Sequence, residues 1–153
     1  SHSMLAVARA NFERAELRHI DLRQGDVYSP RFDPSSFDLV VVHQVLHFLD
    51  NPGRAVREAA QLLTPGGRLL IVDLAPHQLE FLRTEHNHRR LGFSTEVVTG
   101  WLRSSGLRLS SAHDIADPAA GDEPAGADRL TVSMWLAHDA RVADPSLLQD
   151  DLV

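Results

Sequence analysis

The sequence predicts an α/β domain built on an open sheet with helices on both faces. Two dense apolar runs carry this reading, Phe37 to Val42 and Arg68 to Leu74, and neither alternates polar with apolar residues. A strand that is hydrophobic on both sides is one covered on both sides, as parallel strands are. The third observation is the segment between them, Pro52 to Leu63, whose apolar residues recur at helical spacing. Strand, helix and strand then form a right-handed parallel crossover.

Taken in order, Met4 to Ala15 places Met4, Leu5, Ala8, Phe12 and Ala15 at spacings of three and four behind Ser3, an N-cap residue type, and reads as an amphipathic helix. Arg18 to Gln24 alternates, with Ile20 and Leu22 on one side, and reads as a short strand near an edge that ends in the Gly25-Asp26 turn. Val27 to Ser36 contains Pro30, Asp33, Pro34 and three serines, a loop composition. After the Phe37 strand, Asp50 or Asn51 caps a helix with Pro52 in its first turn and Ala55, Val56, Ala59, Ala60, Leu62 and Leu63 on its apolar face. Thr64-Pro65-Gly66-Gly67 stops that helix before the Arg68 strand.

His77 to Arg90 reads as helical, with Leu79, Leu82 and His86 on one side. Ser94 then caps a further helix, stapled by Phe93 and Val98 and ended by Gly106. Leu107 to Ile115 is a strand, Ala116 to Asp128 a loop of Ala, Asp, Gly and Pro, and Leu130 to Ala137 an alternating strand with two distinct faces. The domain is expected over 1–138, with a tail over 139–153.

Composition excludes several classes of chemistry. The chain has 153 residues, about the size of one domain, and its apolar runs fall far short of a bilayer span, so no membrane partner is expected. A net charge of −6 is the wrong sign for neutralising phosphates, so direct nucleic-acid binding is not expected either. Without cysteine there is no disulfide, thiolate nucleophile or cysteine-bound metal. All the basic residues are arginine, which removes Schiff-base chemistry and the P-loop lysine. No charged, apolar and small-residue leader is read at the start, so the cytoplasm is the expected compartment.

Open sheets take ligands at the carboxyl ends of their strands, so the polar residues there are the candidates. At Gly25-Asp26-Val27 a glycine permits a turn, and a carboxylate can accept from an exocyclic amine such as that of adenine; the same pair also makes an ordinary turn. His43-Gln44 follows the buried valines, where freed carbonyls accept from a ligand ammonium or where His43 simply caps the sheet. His47 stands four residues further, but two histidines without a third ligand do not make a metal site, and no metal is expected. Glu85-His86-Asn87-His88-Arg89-Arg90 supplies imidazoles for proton transfer, or else a solvated helix face on which Glu85 and Arg89 pair. Asp73, ending the second dense strand, either contacts a ligand or caps the next segment.

Gly25-Asp26-Val27, the run from Ser36 through the Phe37-Asp38-Leu39-Val40 strand to Leu49, and Leu62 to Asp73 with its Leu63-Thr64-Pro65-Gly66-Gly67 turn together resemble the class I S-adenosylmethionine-dependent methyltransferases. The resemblance extends from about Ser3 to His138, and Asp73 to Phe93 is similar to methyltransferase domains attached to winged-helix regulators of the arsenic-responsive type. It implies a Rossmann-like sheet, S-adenosylmethionine as cofactor and a small-molecule methyl acceptor. By position it implies that Asp26 accepts from the adenine amine and that Val27 offers its N–H to the ring. It further implies that the His43 carbonyl lies near the methionine ammonium, with Gln44 beside it. Methyl transfer from a sulfonium is an in-line displacement that alignment and exclusion of water can drive. A base is needed only for a hydroxyl or amine acceptor, and His86 or His88 is placed to serve.

The family's sheet runs 3-2-1-4-5-7-6. If Met4 to Ala15 is the helix after family strand 2, the chain holds strands 3 to 7 and lacks strands 1 and 2, together with the glycine-rich cofactor loop and the ribose-binding acid. The expectation is then a bare apolar edge on the Phe37 strand and poor stability as a free monomer. On this reading the chain is the C-terminal part of a longer protein, Ser1-His2-Ser3-Met4-Leu5 is native sequence, and an upstream segment or a second chain supplies the rest. A nicotinamide-dependent oxidoreductase would need a G-x-G-x-x-G turn and a Tyr–Lys relay, which are not in the sequence. A non-catalytic ligand-sensing or dimerising module of a regulator is the alternative.

Overall fold

The structure, a computed structural model, describes residues 2–115 and 130–141. They belong to two compact units, Ser1–Arg31 and Phe32–Val153. The loop expected over Ala116 to Asp128 and the tail beyond Arg141 lie outside the described residues.

In the first unit α1 spans His2–Arg14 and half-buries Leu5, Ala8 and Phe12, the predicted stripe, while Met4 is exposed. Ser3 is not its cap: the chain is already helical at His2, so the cap position falls earlier. Glu16, at φ 54, turns the chain out of the helix, and Leu17 N–H closes the end on Phe12 O at 3.0 Å. The strand expected over Arg18 to Gln24 does not form, and the one pairing nearby is an isolated antiparallel bridge between Asp26 and Ser29. Alternation makes a strand only when a neighbour supplies the ladder, and no described strand pairs with this segment.

The second unit carries a four-stranded sheet: β1 (Phe37–His43), β2 (Leu63–Leu74), β3 (Leu107–Ile115) and β4 (Val132–Asp139), in the order β1-β2-β4-β3. β1 pairs parallel with β2, whereas β4 runs antiparallel between β2 and β3. This order is the 4-5-7-6 segment of the sheet that the resemblance implied. β2 begins earlier than the Arg68 strand read from the sequence, because Leu63 already pairs with Phe37. Gly67 is required there: a Cβ would stand 2.8 Å from Thr64 O.

Register sorts the side chains into two faces. Val42 lies beside Ile71, which lies beside Trp135; Val40 lies beside Leu69, which lies beside Ala137. This face is the core, with Leu69, Ile71 and Ala137 fully buried. α2 (Pro52–Gln61) contributes Ala55, Val56, Ala59 and Ala60 to it, and α4 (Thr95–Ser104) contributes Val98 and Leu102. α2 starts at Asn51, whose Oδ1 accepts from Arg54 N at 3.0 Å, settling the cap between the two candidates. α4 starts at Ser94 and is anchored by Trp135 Nε1 donating to Thr95 Oγ1 at 3.0 Å.

β1 is an edge strand and is not covered on both sides. Leu39 and Val41 remain 47% and 50% exposed. Among the described residues no strand pairs with the outer edge of β1, as the resemblance led one to expect, and the exposure of Leu39 and Val41 shows that the lack of alternation does not require cover on both faces. At the other end of β2, Arg141 donates to Leu63 O at 2.7 Å and pairs with the Asp139 carboxylate. Asp139 is the last residue of β4, so the boundary expected after His138 moves one residue on. Among the described residues no helix is long and apolar enough to cross a membrane.

The long helix expected over His77 to Arg90 is reduced to α3 (Phe81–Glu85). Local bonds compete with it at both ends. His77 Nδ1 accepts from Leu79 N at 3.3 Å, and Glu80 N donates to Gln78 O, so the first turn is not helical. Beyond Glu85, Asn87 adopts φ 57 and turns the chain so that His88 N donates back to Leu82 O. The loop is pinched where Phe93 N meets Leu74 O and His77 N meets Leu91 O, a close approach that Gly92, at φ 81, permits.

Candidate functional site

The carboxyl ends of the parallel strands β1 and β2 lie side by side, and chemistry-bearing residues collect there. β1 ends at His43, and Gln44, at φ 53, breaks the strand while its N–H donates to Val72 O at 2.7 Å. A non-glycine residue held in this left-handed region costs about 1 kcal/mol or more, a feature that clusters at ligand sites. The chain then makes a 3-10 turn over Leu46–Phe48, directly above the end of β2.

Asp73, the penultimate residue of β2, is fully buried and serves that turn. Its Oδ2 accepts from Leu46 N at 2.9 Å, and its Oδ1 accepts from His47 Nδ1 at 2.6 Å and from Leu74 N at 2.8 Å. Several donors are what a buried carboxylate requires. Because a carboxylate accepts, the His47 proton sits on Nδ1, a tautomer assigned from this bond.

The His47 ring in turn packs on His88 at 4.3 Å between centroids, with Phe48 closing the group at 4.1 Å from His47 and 5.0 Å from His88. The backbone joins the same parts: Arg89 N and Arg90 N both donate to His47 O, at 3.0 and 3.2 Å. Asp50 completes the strap, pairing its carboxylate with Arg89 and its carbonyl with Arg90 Nη2 at 2.9 Å. Arg89, expected to pair with Glu85 on a solvated helix face, is instead engaged by Asp50, as is Arg90.

Burial holds the His88 imidazole below its ordinary pKa, reinforced by His47, His77 and His86 against the opposite pull of Asp73. Burial and His47 likewise lower His77, against Glu80. His88 Nδ1 and His77 Nε2 are both buried with no hydrogen-bond partner among the described residues.

Of the residues singled out in the sequence, His88 belongs to this cluster, whereas His86 is exposed beyond it, 6.5 Å from His88 between ring centroids. His43 is exposed and Gln44 half-buried at the strand end, as a ligand-facing pair would be. Asp26 and Val27 belong to the first unit. There the Asp26 carboxylate accepts from Tyr28 N at 2.9 Å, the ordinary turn, while its other oxygen meets no described donor. His47, set aside with the metal reading, and His77 were not recognised as site residues, and Asp73 was left open. The sequence signal for the pair is positional alone, Asp73 closing one dense run and His47 following the other; the bond between them exists only once β1 and β2 pair. Among the described residues no group of three or more His, Asp or Glu side chains is arranged to hold a metal.

Residues 1–71 match the sequence model of a methyltransferase domain. The Escherichia coli K12 protein YafE is 36% identical over 74 residues, 48% of this chain and 36% of YafE, so the chain spans about a third of that relative. Among solved structures, an S-adenosylmethionine-dependent methyltransferase from Mesorhizobium loti superposes with a TM-score of 0.67 at 19% identity, covering 90% of this chain and 76% of that one. This is a Rossmann-like methyltransferase fold. The [4+2]-cyclase SpnF superposes at 0.71 with 20% identity, covering 91% of this chain and 63% of its own. The methyltransferase fold therefore accommodates more than one chemistry, and the site residues have to carry the argument about activity.

Each unit by itself offers chemistry that suits a part of S-adenosylmethionine: in the first, an exposed carboxylate oxygen on Asp26 suits an adenine amine; in the second, the broken strand end at His43-Gln44 suits an ammonium group.

Proposed function

We propose that the protein takes part in S-adenosylmethionine-dependent methyl transfer to a small-molecule acceptor that attacks through a hydroxyl or amine. The observation that carries this reading is the half-buried His88 imidazole packed on His47 at the carboxyl ends of β1 and β2, on the methyltransferase fold. When bound, S-adenosylmethionine supplies an electrophilic methyl on a sulfonium. In the second unit the His43 carbonyl and Gln44 are the candidates for the amino-acid end and His88 for the acceptor's proton, with His86 as the second candidate; in the first unit Asp26 and Val27 are the candidates for the adenine.

The bare edge of β1 and the chain's one-third share of YafE support a further part of the reading: the cofactor site is completed by an additional segment paired along β1, from the same protein or from a second chain. The same edge favours the competing reading, a ligand-sensing or dimerising module without turnover. Calorimetric titration with S-adenosylhomocysteine, followed by an assay for release of that product from S-adenosylmethionine, separates the two. Binding with turnover supports the enzyme, binding without turnover supports the module, and no binding even to a longer form bearing a segment that pairs along β1 contradicts both.

A further inference from the structure

We propose that His47, held by Asp73, is the positioning residue that keeps the His88 imidazole in place as the site's base; this rests on the methyl-transfer reading. His47 reaches the His88 segment in two independent ways. Its ring packs on that of His88, and its backbone carbonyl takes the N–H groups of the next two residues, Arg89 and Arg90. His88 itself sits on an irregular loop, where a side chain has little to fix its direction unless a neighbour supplies it. His47 can supply it because its own ring cannot rotate: Nδ1 is bound at 2.6 Å to a carboxylate that two backbone N–H groups also hold.

The arrangement gives the two edges of His88 different tasks. Nδ1 is buried without a partner, so the half-buried ring meets solvent through its other side, where an acceptor proton would be taken. The charged or titratable groups around it are His47 from the turn after β1, Asp73 from β2, and His77 and His86 from the loop that carries α3. Three of these are imidazoles that oppose a further positive charge, and the one carboxylate already accepts from His47. The ring is thereby kept uncharged and available near neutral pH. His77 contributes from the other side: its Nδ1 accepts from Leu79 N, which leaves the proton on the buried Nε2.

The test reads His88 directly and needs no knowledge of the acceptor. In the unaltered protein, histidine-ring NMR titration is expected to place His88 below the ordinary 6.5. Diethyl pyrocarbonate at pH 6, mapped by mass spectrometry, follows the same change as reactivity, since only the unprotonated ring reacts. His47→Asn keeps a donor for Asp73 but removes the ring: the titration of His88 moves up and its modification at pH 6 slows relative to the unaltered protein. Asp73→Asn removes the one opposing charge: the titration moves down. Opposite shifts in the two variants support the role. Equal shifts, or none, overturn it.

Should either variant fail to fold, the unaltered protein decides, and a His88 titration at or above 6.5 overturns the inference. S-adenosylhomocysteine binding is measured in parallel. Binding with an ordinary His88 overturns the positioning role and leaves the methyl-transfer reading. An unusual His88 without binding, even in a longer form bearing a segment that pairs along β1, overturns the reading on which the role rests.

Discussion

Asp73 Oδ1 and His47 Nδ1 lie 2.6 Å apart with both side chains out of reach of solvent, one near the end of β2 and the other in the turn that follows β1. The bond ties together two chain segments that share no local sequence relation. It also makes the carboxyl end of the parallel pair a packed, hydrogen-bonded floor, on which the His88 loop rests through the His47 ring and carbonyl.

Replacing Asp73 by alanine leaves the His47 Nδ1–H, Leu46 N–H and Leu74 N–H without their acceptor, in a place that water does not reach. The expected loss is about 3 kcal/mol, and about half of that for Asp73→Asn, which keeps an acceptor oxygen. Urea unfolding of the two variants checks the order and the size.

Stability is expected to fall as pH drops below the ordinary imidazole value of 6.5. His77 and His88 have folded pKa values below the unfolded one, so the unfolded state binds protons first. Their full contribution is present above 6.5 and is lost as pH falls from there through the folded values. Urea midpoints measured across that range, with His77→Asn and His88→Asn each flattening the slope, provide the check.

Two glycines respond oppositely to alanine. Gly92, at φ 81, has no room for a Cβ, which would collide with the Ala75 carbonyl and stand 2.8 Å from Leu74 O. Its substitution should cost about 2 kcal/mol or more. Gly100 lies inside α4 with nothing within 4 Å of a Cβ, so Gly100→Ala should stabilise by about 0.5–1 kcal/mol. Thermal or urea unfolding of both variants tests the contrast.

The exposed edge of β1 should make the 153-residue chain associate as its concentration rises. Val41→Lys places a charge on a half-exposed side chain, so it should raise the concentration at which association begins while changing monomer stability by less than about 1 kcal/mol. Sedimentation velocity over a concentration series reads the effect.

The segments legible from the sequence are those whose signal is local. β1, α2, α4 and β3 stand where apolar runs, Asn51, Ser94 and Gly106 placed them, because caps and periodicity act within a few residues. Arg18 to Gln24 misled because its alternation says nothing about whether a partner strand lies alongside. His77 to Arg90 misled because side-chain and turn bonds at His77 and Asn87 overrode a helical pattern. In the site, His88 and the strand-end pair His43-Gln44 were readable as polar residues following dense strands. The His47–Asp73 bond was not, since it spans 26 residues and exists only once β1 and β2 pair.

The most direct test of methyl-transfer function is calorimetric titration of S-adenosylhomocysteine into the 153-residue chain and into a longer form bearing a segment that pairs with β1. The account predicts saturable one-to-one binding to the longer form, weakened at least about tenfold by Asp26→Ala, and weaker or no binding to the shorter chain. Absence of binding to both forms, with each folded, would contradict it.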